Sequence, residues 1–357
     1  ARKAPSGGAI AKSGNENVSL KIYGQANRAV IVADDGTNDD VLFVDNDMSS
    51  SRVGFEGKAR VTDTFSVGAK IEVEIESNPS NVANLTDEDD LGSDAGFATR
   101  KVEFSLADER LGKLTLGQTS EAHDGAAEVD VSGTEIVTGS LQDVFAGGIV
   151  FRNEATGAAT GPTMATVFPN FDGSRDDALR YDTPEIYGFV GTAVAESDDR
   201  YGFALAWGGK FSGIKGEAMV AYQRVPDSFG TGAGTPTNTL VGSASFIHDS
   251  GISLTGAIGT RENEQTTRDD TTYYYGKVGY QIMPFSFGST SMSVDYYTAE
   301  NTSANNDESS SWGLGFVQKV DDAALELYAG LRFYDYETSA AEFETISVGM
   351  MGGRVKF

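Results

Sequence analysis

The chain has 357 residues, with 53 acids against 27 bases for a formal charge of -26, and no cysteine. That charge has the wrong sign for nucleic-acid phosphate, and the missing cysteines exclude a disulfide framework and thiol chemistry. An aromatic content of 10% excludes a disordered acidic chain, and no stretch approaches the roughly 18 consecutive apolar residues of a membrane-spanning helix.

Residues 1–15 open on Ala1, are small and polar, and read as a flexible tail; the start on Ala rather than Met suits either a processed, exported chain or a trimmed one. From residue 16 to 357 one signature recurs. In FSVGAKIEVEIES, Phe65, Val67, Ala69, Ile71, Val73 and Ile75 share one parity, and Lys70, Glu72, Glu74 and Glu76 the other. A period of two puts alternate side chains on opposite faces of a strand. Sixteen such segments are centred near residues 25, 54, 70, 102, 115, 181, 192, 206, 219, 244, 257, 277, 295, 315, 331 and 350. Short connections, such as VTDT at 61 and HDSG at 248, take turns with long polar ones, expected at 34–47, 78–96, 226–239, 261–270 and 300–310. This predicts antiparallel hairpins whose two ends differ.

Such strands build either a soluble sandwich or a transmembrane barrel with an apolar outside and a polar lumen. Charges in mid-strand, Lys70, Glu72 and Lys277 among them, and Tyr or Trp near the strand ends favour the barrel. About sixteen strands leave an open channel. The final strand is less regular. Met351, Val355 and Phe357 share a face, yet Ile346, Val348 and Met350 fall on the nominally wet one, which requires a neighbouring subunit or a bulge.

The segment 120–176 alternates poorly and is too long for an ordinary connection. It carries Glu121, Asp124, Glu128, Asp130, Glu135 and Asp143 with no base before Arg152. By itself such an acidic run reads as a solvated surface loop.

Five stretches, LKIYGQANRAVIVADDG, DNDMSSSRVGFEGKARV, TRKVEFSLADERLGKLTLGQTS, LRYDTPEIYGF and the terminal GGRVKF, together resemble the general diffusion porins of Gram-negative outer membranes, alphaproteobacterial members most closely. The resemblance implies an outer-membrane, all-β, 16-stranded antiparallel barrel, a homotrimer contacting lipid and lipopolysaccharide, and a third loop folded into the lumen as a constriction. It implies passive diffusion of ions and small hydrophilic solutes, and it makes the terminal Phe357 an assembly signal. It turns the six acids of 120–176 into one side of the constriction. The basic wall opposite is expected from Arg52, Lys70, Arg100, Lys101 and Arg180. Arg52 is inward by parity and matches the family's pore arginine. Arg100 matches a family position, although alternation with Val102 and Phe104 turns Lys101 inward instead. Surplus acid predicts a preference for cations.

Asp34, Asp35, Asp39, Asp40, Asp87, Asp89 and Asp90 are candidate ligands for calcium or magnesium on acidic loops, without the spacing of an ordered calcium loop; no cofactor is required. His123 and His248 lack a neighbouring nucleophile and orienting acid, so no enzymatic activity is expected. Two other readings stay open. One is a substrate-selective porin with a lumen ladder of Tyr273, Tyr275, Tyr297, Tyr328 and Tyr334. The other is a non-conducting barrel acting as anchor or adhesin.

Overall fold

A computed structural model describes residues 14–86, 96–226, 236–263 and 267–357. Seventeen strand segments form one antiparallel sheet: β1 (Ser19–Asp34), β2 (Asp39–Asp45), β3 (Arg52–Arg60), β4 (Phe65–Glu76), β5 (Gly96–Asp108), β6 (Gly112–Ser120), β7 (Arg175–Asp182), β8 (Phe189–Glu196), β9 (Tyr201–Phe211), β10 (Ile214–Arg224), β11 (Pro236–His248), β12 (Ile252–Asn263), β13 (Thr271–Phe285), β14 (Gly288–Glu300), β15 (Glu308–Val320), β16 (Leu325–Glu337) and β17 (Ile346–Lys356). From β3 to β17 each segment pairs with the next. The last closes on the first, with Gln25 opposite Lys356 and Asp34 opposite Ser347. The sheet is therefore a barrel without edges.

β2 and β3 are one interrupted stave, which makes sixteen in all. β1 pairs with β2 over residues 28–34 and with β3 over residues 19–25. Between them a short 3-10 turn, Asp47–Ser49, steps out of the sheet. Asn27 Nδ2 donates to Asn46 O at 3.2 Å and to Ser49 O at 2.9 Å, and Gln25 Nε2 donates to Ser49 O at 2.9 Å. Gln25 and Asn27 point inward, so the step enters the lumen.

The long loop expected at 34–47 is instead a four-residue turn, 35–38, feeding β2. Asp35 Oδ1 accepts from Asn38 N at 2.8 Å and Asp34 Oδ1 from Gly36 N at 2.7 Å. These acids fold back on their own backbone, as aspartate does in turns.

Facing follows the alternation. On β13 and β14, Tyr274 and Tyr296 are each 51% exposed, whereas Tyr273 and Tyr297 are each 1% exposed. Val278, Val294, Leu314, Phe316 and Leu331 share the exposed side, the apolar belt a bilayer requires. No described helix is long and apolar enough to cross a membrane.

Residues 121–174 lie against the inner wall. Val129 N and Val131 N donate to Ser243 Oγ and Ser245 Oγ of β11, both at 2.9 Å. Phe168 packs on Tyr297 and Tyr334, and Phe171 on Tyr273. Phe145, Phe151, Phe168 and Phe171 are fully buried, and each such side chain contributes about 2 kcal/mol of transfer free energy. Ile346, Val348 and Met350 face inward beneath this segment and are buried, so neither a partner subunit nor a bulge is needed to explain them.

Candidate functional site

One part of the lumen wall stays open and charged. At its centre is Glu72 of β4. It accepts from Tyr23 Oη at 2.7 Å and Arg100 Nε at 2.9 Å, and Lys70 Nζ lies 3.7 Å away. Arg52, first residue of β3 after the interruption, donates from Nε to Ser50 O at 3.0 Å and from Nη2 to Ser49 Oγ at 2.8 Å. Its Nη1 stands 3.9 Å from Glu72. The inward step of the second stave thus fixes the guanidinium through the Ser50 carbonyl and the Ser49 hydroxyl.

The conflict between Arg100 and Lys101 resolves in a bulge. Glu72 pairs with Lys101 and Val73 with Thr99, leaving Arg100 as an extra residue in β5. Both bases point inward. Arg100 also pairs with Glu74, and Lys101 Nζ donates to Ser120 Oγ at 2.7 Å.

Across the opening stand acids of the inward loop. Asp172 accepts from Gly125 N at 2.9 Å and Ala127 N at 3.2 Å, and Asp124 meets Arg175 at 3.3 Å. Asp124, Glu128 and Asp172 line one recess of about 470 Å³ with Arg52, Arg100 and Arg175. Burial, then mutual repulsion within this trio, holds Asp172 well above the usual carboxylate range and raises Glu128.

Residues 3–350 match the family model for Gram-negative porins. The chain belongs to that family. The porin is thus an outer-membrane β-barrel. OmpT of Vibrio cholerae, an outer membrane protein, superposes with a TM-score of 0.62 at 15% identity, covering 98% of this chain and 100% of that one. The anion-selective porin from Comamonas acidovorans gives 0.61 at 17%, with 95% and 100% covered. OmpF of Salmonella typhi, in complex with daunomycin, gives 0.59 at 12%, with 96% and 98% covered. No curated protein matches.

The porin distributes its other expected acids differently. Glu121 binds Arg200 at 3.2 Å and accepts from Ser174 N at 2.8 Å, tying the start of the loop to its end. Asp130 pairs with buried Lys277, whose Nζ also donates to Thr138 O at 2.9 Å. Glu135 lies 3.8 Å from Arg354. Asp143 is enclosed within the loop core, and burial with repulsion from Asp47 raises its carboxyl to about 7. Arg180 turns to Asp182 at 2.8 Å and to Ser120 O at 3.1 Å, away from the recess. His123 is nearly enclosed beside Glu121, and burial lowers it below the ordinary imidazole value.

Asp172, Arg175 and Glu74 were not among the expected residues. Arg175 shares the parity of outward Leu179, so alternation alone points it to lipid; as first residue of β7 it still follows the loop. Arg332, 2% exposed at its side chain, binds Asp295 at 2.6 Å and Gln142 Oε1 at 2.7 Å, clamping the loop to β14 and β16. The five candidate ladder tyrosines are all buried beneath this loop or against the wall.

Of the candidate metal ligands, Asp35 pairs with Arg152 at 2.7 Å. Asp40 accepts from its neighbour Val41 N at 2.7 Å, and Asp87, Asp89 and Asp90 lie outside the described residues. Among the described residues one trio of acids comes close enough to hold an ion, Glu121, Asp176 and Glu196, and the Arg200 guanidinium bonds to all three. Phe357 pairs with Gly24 through both backbone bonds at 3.0 Å. A Cβ on Gly24 would come within 2.6 Å of the Phe357 ring, so glycine supplies the seat for the terminal aromatic.

Proposed function

We propose that the protein is a water-filled channel for passive diffusion of ions and small hydrophilic solutes, with the recess between Asp124, Glu128 and Asp172 and Arg52, Arg100 and Arg175 as its constriction. The observation that carries this reading is the facing of opposite charges across an opening in a barrel whose remaining width is packed with side chains. A low-dielectric wall concentrates field lines, so solutes with alignable dipoles pass and apolar ones do not. Cations are favoured, because Glu128, Glu135 and Glu217 line the adjoining recess against a single base, Arg354. The assembly is a homotrimer in contact with lipid and lipopolysaccharide, and Phe357 is its assembly signal. Calcium or magnesium gathers at the acidic outer turns as exchangeable counter-ions, with no part in conduction.

The test is single-channel conductance of the purified protein in a planar bilayer under a salt gradient. Steady steps closing in thirds, with a reversal potential favouring cations, are expected. Silent bilayers from folded protein would return the non-conducting anchor. A substrate-selective channel built on the tyrosine ladder is disfavoured, since those rings are withdrawn from the opening.

A further inference from the structure

Below the constriction the open wall carries a second group of bases, among them Lys70 and Lys101, which were expected at the constriction itself but line a separate recess. Lys58, Lys70, Lys101 and Lys113 line one recess of about 390 Å³ with only Glu56 and Glu103 as acids. Their register is ordered. Lys58 of β3 stands opposite Gly68, two residues before Lys70 on β4. Lys101 of β5 stands opposite Glu72, again two residues beyond Lys70. Lys101 then reaches Ser120 of β6, and Ser120 stands opposite Arg175 of β7. The first two steps each cross to the neighbouring strand and climb toward the long-loop end, a diagonal of roughly 7 Å, and the last spans β6 to reach β7. The climb ends at a base of the constriction itself.

The acids beside this row do not neutralise it evenly. Lys70 has Glu72 at 3.7 Å and stands between Glu56 and Glu103. Glu103 is turned to Thr119 Oγ1 at 2.7 Å. Lys58 and Lys101 make no ion pair among the described residues, so their ammonium groups are available to a passing solute. In a chain of charge -26 this is a localised exception.

We propose that Lys58, Lys70, Lys101 and Arg175 form a staircase that binds small organic dianions in transit, with short dicarboxylates as the ligand class. A solute with two carboxylates a few carbons apart touches two neighbouring steps at once and is handed upward one step at a time. The inference rests on the channel reading and adds a substrate class to it.

The experiment uses the purified full chain in liposomes and compares entry of succinate with entry of arabinose, a neutral solute of similar size. In Lys58→Gln/Lys101→Gln the succinate-to-arabinose ratio falls about threefold, as expected for loss of local counter-charge. It falls further in Lys58→Glu/Lys101→Glu. Lys210→Gln, on the turn-end rim, keeps the ratio of the unmodified protein. An unchanged ratio in the charge-reversed variant, with arabinose still entering, would overturn the staircase alone. Unmodified protein that admits no arabinose would overturn the channel reading and the staircase with it.

Discussion

The two sides of the lumen wall are made from the same alternation and end in opposite states. Along β11–β17 the inward residues are Tyr273, Tyr297, Val317, Tyr334, Val348 and their neighbours, and the loop closes over them. Along β3–β7 they are Lys58, Lys70, Glu72, Arg100 and Arg175, and the wall stays open. Inward position alone does not make a residue wet. What decides is whether the loop finds apolar partners on that stave. Phe145, Phe168 and Phe171 do, whereas Asp124, Glu128 and Asp172, which flank that apolar stretch in sequence, are left for the other side.

The comparison breaks most severely at the clamp. Arg332→Met leaves Asp295 buried without its cation, which costs about 3–5 kcal/mol. The loop should detach from β16, seen as new protease cleavage within 121–174 and as noisy conductance. Unchanged cleavage would mean that the aromatic packing alone holds the dry side.

Asp143 sharpens the same side through pH. Its folded-state value, near 7, lies above that of an unfolded aspartate. Its folded form therefore binds the proton more tightly, and stability falls as pH rises from the unfolded value to about 7, levelling above it. Asp143→Asn should stabilise the fold at pH 8 by on the order of a few kcal/mol, read as a higher unfolding temperature, and change little at pH 4. An equal effect at both values would assign the gain to packing.

On the open side, Arg100→Gln removes a base that faces two acids, Glu72 and Glu74. Cation preference should rise by a factor of about two, read as a shift of reversal potential that shrinks at high salt. Smallest is Ser243→Ala, which deletes the partner of Val129 N and should cost about 1 kcal/mol without altering conductance.

Much of this was legible in the chain, and the failures have physical causes. All sixteen staves fall where alternation placed them, because facing lipid or lumen is enforced residue by residue. The segment 39–45 was missed as a strand because its acids signal a turn, and only the first few of them make one. The dry inner face at Ile346, Val348 and Met350 could not be read locally, since its partners lie some two hundred residues earlier in the loop. The trio around Asp172 was half visible. Asp124 and Glu128 stood out in an acidic run, whereas Asp172 enters the group through a loop closure with no periodic trace.

The bulge at Arg100 has a consequence for how this wall can change. Removing that one residue would bring Thr99 and Lys101 side by side opposite Val73 and Glu72, and every other side chain of β5 would keep its present facing. A deletion inside a barrel strand ordinarily turns half the strand inside out. Here a single codon can be lost or regained with the barrel intact, so the charge of the passage can be inherited as a matter of chain length.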